Sequence, residues 1–308
     1  MNRLRIMVIT FILLGIGNIS YARSNGMDKM MSCTYIPESH SWSIGGCAHL
    51  TQEELDGLTP EDFEGLDDTN FTQVVISSYP NNNDKAKFLH STPGFFKAFK
   101  NLRSIIFKIR VGETFNPDIF VGLPNLKSLE IGFVNEIPDR AFSRLGPLDS
   151  LKIWDAGTHI SMRAMEDAPI IGSLHIQLYG NNQQIEDGAF STLGGVARLY
   201  LFTSNLVITD DTLRSLSTLK GLSLNNVKSI SENAFAGLPI LKTVEIKDLK
   251  SSLPDRIFAN QEFLSSFEVD FFGYDLDVKI KRSMFSADLK NLRFVKVNDK
   301  VVYVNLLE

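Results

Sequence analysis

Phe120-Val121-Gly122-Leu123-Pro124-Asn125-Leu126-Lys127-Ser128-Leu129-Glu130-Ile131 carries apolar side chains at spacings of three, three, three and two. The closing Leu129-Glu130-Ile131 alternates with period two. Leu129 and Ile131 therefore point to one side of a short strand and Glu130 to the other. The spacing of three before it suits a 3₁₀ turn or a short helix on the opposite side of the chain.

The same row recurs as Phe142-Leu145-Leu148-Leu151-Ile153, Met165-Ala168-Ile171-Leu174-Ile176, Phe190-Leu193-Val196-Leu199-Leu201, Leu213-Leu216-Leu219-Leu222-Leu224 and Phe235-Leu238-Leu241-Val244-Ile246. Phe258, Leu264, Phe267 and Val269 make a further copy that Gln261 interrupts, and Phe285, Leu292, Val295 and Val297 make one with an insertion. Upstream, Phe96-Phe99-Leu102-Ile105-Phe107 fits, and Phe63-Leu66 begins a weaker copy. First positions from 120 to 285 are separated by 22, 23, 25, 23, 22, 23 and 27 residues. A period of this length with this apolar spacing signifies a solenoid. Stacked units align the strands as one parallel sheet and the first-position residues as a spine. Burying one Phe there contributes about 1.5–3 kcal/mol. The Phe residues are scaffold.

Of 308 residues, 44% are hydrophobic, 22% are charged, and Pro and Gly together number 32. This is a folded chain, neither a disordered tail nor collagen. The net charge of -5 and the lack of a long basic run argue against nucleic acid as the main partner. Residues 1–22 read as a secretory signal peptide: Arg3 and Arg5 precede the apolar run Ile6 to Ile16, and Tyr21-Ala22 offers a small-residue cleavage site. The alternative is a membrane anchor, for which the run is short. No second apolar run of spanning length occurs, so the mature chain is expected to be secreted and extracellular, without a transmembrane segment.

The repeats lead into Ile137-Pro138-Asp139-Arg140-Ala141-Phe142, Ile185-Glu186-Asp187-Gly188-Ala189-Phe190, Ile230-Ser231-Glu232-Asn233-Ala234-Phe235 and Leu253-Pro254-Asp255-Arg256-Ile257-Phe258. With the 22–27-residue spacing, these segments resemble extracellular leucine-rich-repeat proteins of the animal "typical" class. The resemblance covers residues 60–300, about ten units. It implies an α/β fold: a curved, right-handed β-α superhelix with a parallel sheet on the concave face and 3₁₀ turns or short helices on the convex face. It also implies a ligand surface, usually for a secreted or cell-surface protein and sometimes for glycan or lipid, with no catalysis and no cofactor.

Two departures stand out. The family places Asn three residues after the last strand Leu, where this chain has Val134, Ala156, Tyr179, Ser204, Val227, Leu249 and Phe272. Secreted members also carry cysteine-rich caps at both ends, whereas here only Cys33 and Cys47 exist. In an oxidising compartment these two most simply pair within an N-terminal cap, residues 23–59, closing a loop that contributes about 3 kcal/mol. Free or intermolecular thiols, or a metal site with His40 or His49, are the alternatives. At the other end, Asn298-Asp299-Lys300 between two apolar runs reads as the turn of an edge hairpin, residues 294–308. Asn70-Phe71-Thr72 is a glycosylation sequon outside the leader. The polar segment Ser77 to Ser91 reads as a solvated loop, or as a loop over the binding face.

Function then depends on what the strands display outward. Between the paired inward residues stand Ile106, Glu130, Lys152, His175, Tyr200, Ser223, Glu245, Glu268 and Lys296. Just after them stand Trp154, Gln177, Phe202, Asn225 and Lys247. Trp154, His175, Tyr200 and Phe202 fall on three successive strands, flanked by Lys152 and Arg198. Trp, Tyr and Arg dominate binding hot spots, so this cluster is the candidate ligand surface. The competing reading is that the rings cover one another. No serine elbow, phosphate loop, zinc helix or dinucleotide fingerprint is present. Glu245 and Glu268 lie one strand apart and read as solvated carboxylates or a cation contact. A secreted binding module is the leading reading; a structural or carrier subunit of a secreted complex is the other.

Overall fold

The computed structural model describes short strands within residues 7–44, the strand at 73–77, parts of 93–100, and residues 101–304. Residues 109–114, 133–135, 157–158, 179–183, 274–279 and 288–289 lie outside that description. Packing divides the chain into two compact units, Met1–Val134 and Asn135–Glu308. Among the described residues, no helix is long and apolar enough to cross a membrane.

In the first unit, β1 (Met7–Ile9), β2 (Asn18–Tyr21), β3 (Met31–Ile36) and β4 (Ser41–Ile44) pair antiparallel in succession. From β4 onward the pairing is parallel, through β5 (Gln73–Ser77), β6 (Ser104–Lys108) and β7 (Ser128–Gly132). Gln73, Ser104 and Ser128 are in register, and the Gln73 amide donates to the Ser104 hydroxyl at 3.2 Å. Phe96, Phe107, Phe115 and Phe120 pack as tilted and edge-on rings, centroids 5.9–6.4 Å apart. A 3₁₀ turn at Pro117–Phe120 brings Phe120 into that cluster, and Asn116 Oδ1 caps it by accepting from the Asp118 N–H. β1 and β2 fall in the stretch read as a leader. Cys47, Asn70 and the side chain of Cys33 lie outside the described residues.

The second unit holds β8 (Leu148–Ala156), β10 (Ile171–Leu178), β12 (Val196–Ile208), β13 (Gly221–Ile230), β14 (Thr243–Leu249), β15 (Ser266–Phe271) and β16 (Phe294–Val297). These seven strands pair in parallel, giving six turns of a solenoid. Two short strands, β9 (His159–Ile160) and β11 (Gln184–Ile185), pair separately. At the far end β16 meets β17 (Lys300–Tyr303) antiparallel, through Asn298 and Asp299, both at positive φ. Such a pair turns tightly enough for a two-residue hairpin, and Asn tolerates this backbone region.

The repeat row accounts for the core. Phe142, Met165, Phe190, Leu213, Phe235, Phe258 and Phe285, one for each of the seven strands, are all buried. Phe258 stacks between Phe235 and Phe285, with centroids 5.5 Å away on each side. The turns pack closely enough that a methyl group on Gly237 would collide with the Arg214 carbonyl oxygen. Gln261, which breaks the row, is buried and donates its amide to the Phe235 carbonyl at 2.8 Å, meeting part of its hydrogen-bonding need on the preceding turn.

The expected α/β class needs correction. Among the described residues there is no α-helix; the side opposite the strands is built from turns and two 3₁₀ segments, Pro117–Phe120 and Arg282–Met284. Spacing three gives isolated i to i+3 bonds, as from Leu238 N–H to the Phe235 carbonyl at 3.1 Å and from Leu241 N–H to the Leu238 carbonyl at 3.2 Å. Pro147, Pro169 and Pro239, and the Gly194-Gly195 pair, fall inside these segments and stop a helix from propagating.

The missing asparagine column also has a structural answer. Leu178, Leu206, Val227, Leu249 and Phe271 are buried at the strand exits. Leu206 is in register with Val227, and Leu249 with Phe271. An apolar row thus closes this edge of the core where an amide ladder was expected, and it lengthens the strands: β12 keeps buried side chains as far as Ile208.

Candidate functional site

Register fixes the outward face of the second unit. Lys152, His175, Tyr200, Ser223, Glu245, Glu268 and Lys296 occupy one row across the strands from β8 to β16. Trp154, Gln177, Phe202, Asn225 and Lys247 form the next row. Ser150, Ser173, Arg198, Gly221, Thr243 and Ser266 form the row on the other side. Neighbouring strands stand about 4.8 Å apart.

All six candidate residues are therefore on one face, but not as a single cluster. His175 and Tyr200 stack with centroids 4.0 Å apart and planes 9° from parallel. Trp154 and Phe202 are separated by Gln177, two strand spacings or about 10 Å. Tyr200 is 36% exposed, whereas Trp154 and Phe202 are half-buried. Lys152 and Arg198 are exposed at either side of the stack. His175 Nε2 meets the Ser173 hydroxyl at 3.1 Å. Burial, and then the nearby Lys152 ammonium, push the His175 pKa below the ordinary imidazole value, favouring the neutral ring.

From β13 onward the face changes character. Glu245 accepts from the Ser223 hydroxyl at 2.9 Å and pairs with Lys247 at 2.7 Å. The Lys247 hydrogen bond, outweighing burial, holds the Glu245 carboxyl below its usual range. Lys296 bridges Glu268 and Asp299, each at 2.8 Å, which raises its own pKa. Burial, followed by the charges of Asp299 and Glu268, pushes the Asp270 carboxyl up. Glu245 and Glu268, read as neighbouring carboxylates, thus each have an ammonium partner. The signal lay in the sequence: Lys247 is two residues from Glu245 on the same strand face, and Lys296 is in register with Glu268.

On the turn side, polar side chains join successive turns. The Glu186 carboxylate accepts from the Met162 N–H at 2.8 Å, and Asp210 accepts from the Asn233 N–H at 3.1 Å. Asp187 accepts from the hydroxyls of Thr209 and Thr212. Arg140 and Asp167, both at positive φ, form an ion pair. These groups staple successive turns of the scaffold.

The sequence matches the BspA type leucine-rich repeat region in six copies, over residues 92–193, 136–265 and 183–305. The chain belongs to the BspA-type leucine-rich-repeat family. That match shows leucine-rich repeats of the BspA type and carries nothing on the animal "typical" class of the sequence resemblance. No curated protein sequence matches this BspA-type chain. Among solved structures it resembles Toll in the Drosophila Toll–Spatzle complex, with a TM-score of 0.64 and 13% identity over 94% of this chain. It also resembles TLR13 in a complex with ssRNA13, with a TM-score of 0.58 and 17% identity over 81%. It spans 38% of the length of each of those chains. At such identities the likeness is one of fold.

Proposed function

We propose that this BspA-type chain is a secreted, non-enzymatic binding protein that takes a protein or glycan ligand on the outward strand face of its second unit. The carrying observation is the partly exposed His175–Tyr200 stack, with Lys152 next to His175 in the same row, Arg198 beside Tyr200 on β12, and Trp154 and Phe202 on the adjoining row. Aromatic rings and arginine on a rigid sheet offer large contact area at low entropic cost. The solenoid likeness to Toll, solved with the protein Spatzle, supports a ligand-binding role. TLR13 is solved with RNA, but a chain of net charge -5 favours a different partner class here. The leader at 1–22, the Cys33–Cys47 bond and a glycan on Asn70 belong to the same proposal, as does the extracellular setting of the animal "typical" class. The deciding experiment is purification of the protein from its native source, identification of the bound partner, and titration of that partner against Trp154→Ala and Tyr200→Ala. Partner binding unaffected by both changes would refute the strand-face reading.

A second reading, a structural subunit of a secreted complex, draws on β17. Val301 and Tyr303 are 54% and 57% exposed there, and among the described residues β17 pairs only with β16. A partner strand added to that edge would be weakened by Val301→Pro, which removes a backbone donor facing away from β16, while Tyr200→Ala would leave such assembly intact.

A further inference from the structure

The His175–Tyr200 stack has a second consequence. The two residues are register partners on adjacent strands, and their parallel rings are separated by 4.0 Å, close to the strand spacing. The ring normals therefore run across the strands. One face of Tyr200 is taken by His175, and the other is turned toward β13. There the register partner of Tyr200 is Ser223, a small side chain whose hydroxyl is bent away to Glu245 on β14. Gly221 precedes it on the same face, and the stem of Arg198 crosses over that glycine: a methyl group there would stand 3.4 Å from Arg198 Cγ. Asn225 follows on the same face, in register with Phe202.

β12 and β14 stand two strand spacings apart, about 10 Å, and the Glu245 side chain leans back over β13 to within 2.9 Å of the Ser223 hydroxyl, which leaves a narrower groove before the Tyr200 face. The Tyr200 face forms one wall and the Glu245 carboxylate the other. Ser223 lies on the floor, with Arg198 and Asn225 toward the two ends. The contents of the walls choose the ligand. A ring seated here needs one apolar face to meet Tyr200 and hydrogen-bonding groups around its rim to meet Glu245, Asn225 and Arg198. Aromatic faces are electron-rich and attract C–H groups, and an ionised carboxylate is a strong acceptor of hydroxyl donors. Lys247 keeps Glu245 ionised, so it accepts and does not donate. A pyranose sugar has both features, a C–H face and a rim of hydroxyls. A Phe or Leu side chain of a protein would stack on Tyr200 but offer Asn225 and Arg198 no hydrogen-bonding partner, while Glu245 keeps Ser223 and Lys247.

We infer that the groove between Tyr200 and Glu245, floored by Ser223, is a subsite for one neutral pyranose ring of a glycan. The inference rests on the strand face being the binding surface, and narrows its ligand from protein or glycan to glycan. Tyr200 supplies the stacking platform, Glu245 and Asn225 set the orientation of the hydroxyls, and Arg198 donates to a ring or glycosidic oxygen at the end of the groove.

The test is saturation-transfer NMR and calorimetry on the full chain, with a panel of disaccharides of glucose, galactose, mannose and N-acetylglucosamine. At least one should bind, with transfer strongest at the C–H groups of one ring face. Ser223→Phe, which fills the groove from an outward position, should weaken that sugar at least tenfold without lowering the unfolding temperature. Tyr200→Ala should do the same, and Glu245→Gln should weaken it several-fold. Failure of every sugar in the panel, or equal binding by the parent and Ser223→Phe, overturns the subsite. A native protein partner whose binding is lost in Trp154→Ala but kept in Ser223→Phe would also overturn it, while leaving the strand-face reading standing.

Discussion

On β8, β10 and β12 the outward row reads Lys152, His175, Tyr200; on β14, β15 and β16 it reads Glu245, Glu268, Lys296. Backbone, register and buried residues are the same in kind on both sides of β13. The two stretches differ in where their interactions are spent. The later strands settle their charges among themselves, through Lys247 to Glu245 and Lys296 to Glu268 and Asp299. The earlier strands stack two rings and leave Tyr200 partly open between cationic side chains. Among the described residues, no ion pair engages Arg198. A solenoid lets side chains on one face vary without touching the scaffold, because the inward and outward positions of a strand are independent. The comparison thus separates a self-satisfied surface from one that leaves a tyrosine ring partly open beside an arginine.

The largest effect should come from beneath both surfaces. Phe235→Ala removes a ring that is fully buried in the spine and stacked on Phe258. It should cost about 3–5 kcal/mol of stability, read by denaturant unfolding. Ligand binding at the earlier strands should then fall only as folding falls. Loss of binding in a fraction that remains fully folded would break the separation between scaffold and face.

Next comes the surface with the partly open ring. Tyr200→Ala and Trp154→Ala should each weaken the native partner by at least about 2 kcal/mol, or about 30-fold in affinity. The two should differ in stability. Tyr200→Ala should cost under about 1 kcal/mol, because the ring is 36% exposed. Trp154 is half-buried, and its truncation should cost more. Titration and thermal unfolding of both variants measure the split. Equal stability losses would erase the distinction between the two positions.

What the sequence could and could not convey follows the same division. Leu151, Leu174, Leu199, Leu222, Val244 and Phe267 each fall within one of the paired strands, because alternation with period two is a local property of a few residues. The turn side was read as 3₁₀ turns or short helices, and the described residues hold turns and 3₁₀ segments. Spacing three fits a short helix and an isolated turn equally, and Pro and Gly decided for turns. The face residues were identifiable, but their neighbours depend on cross-strand register. That is why the four rings looked like one cluster, whereas Gln177 divides Trp154 from Phe202. The ion pairs at the later strands were within reach of the row itself, since Lys247 follows Glu245 on one strand face and Lys296 follows Glu268 in the same column. The apolar exit row was visible as Val227 and Leu249, but reading it required giving up the expected asparagine column.

Lys247→Met tests the self-satisfied surface. The pair with Glu245 is partly exposed, so its loss should cost under about 1 kcal/mol, and less at high salt. Binding of a protein partner at Trp154 should not change. A salt-independent loss of stability would mean that the pair acts through packing of the lysine stem instead.

The smallest effect separates the two surfaces by pH. His175 has an ordinary value of 6.5 that burial and Lys152 lower in the folded chain. Above about 6.5 the ring is neutral in both folded and unfolded states and contributes no slope. As pH falls below it, the unfolded chain binds a proton before the folded chain does, so stability declines until the folded ring also protonates. Glu245 starts from 4.5 and is lowered, first by the Lys247 hydrogen bond. Its contribution is complete above about 4.5 and is lost as pH falls through the folded value. The earlier strands should therefore weaken in the mildly acidic range and the later ones only in stronger acid. The chain has four other histidines, so the parent is compared with His175→Gln by thermal unfolding across pH. The variant should show a shallower decline just below 6.5 and an unchanged one below 4.5. Glu245→Gln should show the opposite. Both groups are partly exposed and screened, so each difference should stay under about 1 kcal/mol. A steeper decline just below 6.5 in His175→Gln would mean that the imidazolium is stabilised at this site, reversing the assignment of the neutral ring to the stack with Tyr200.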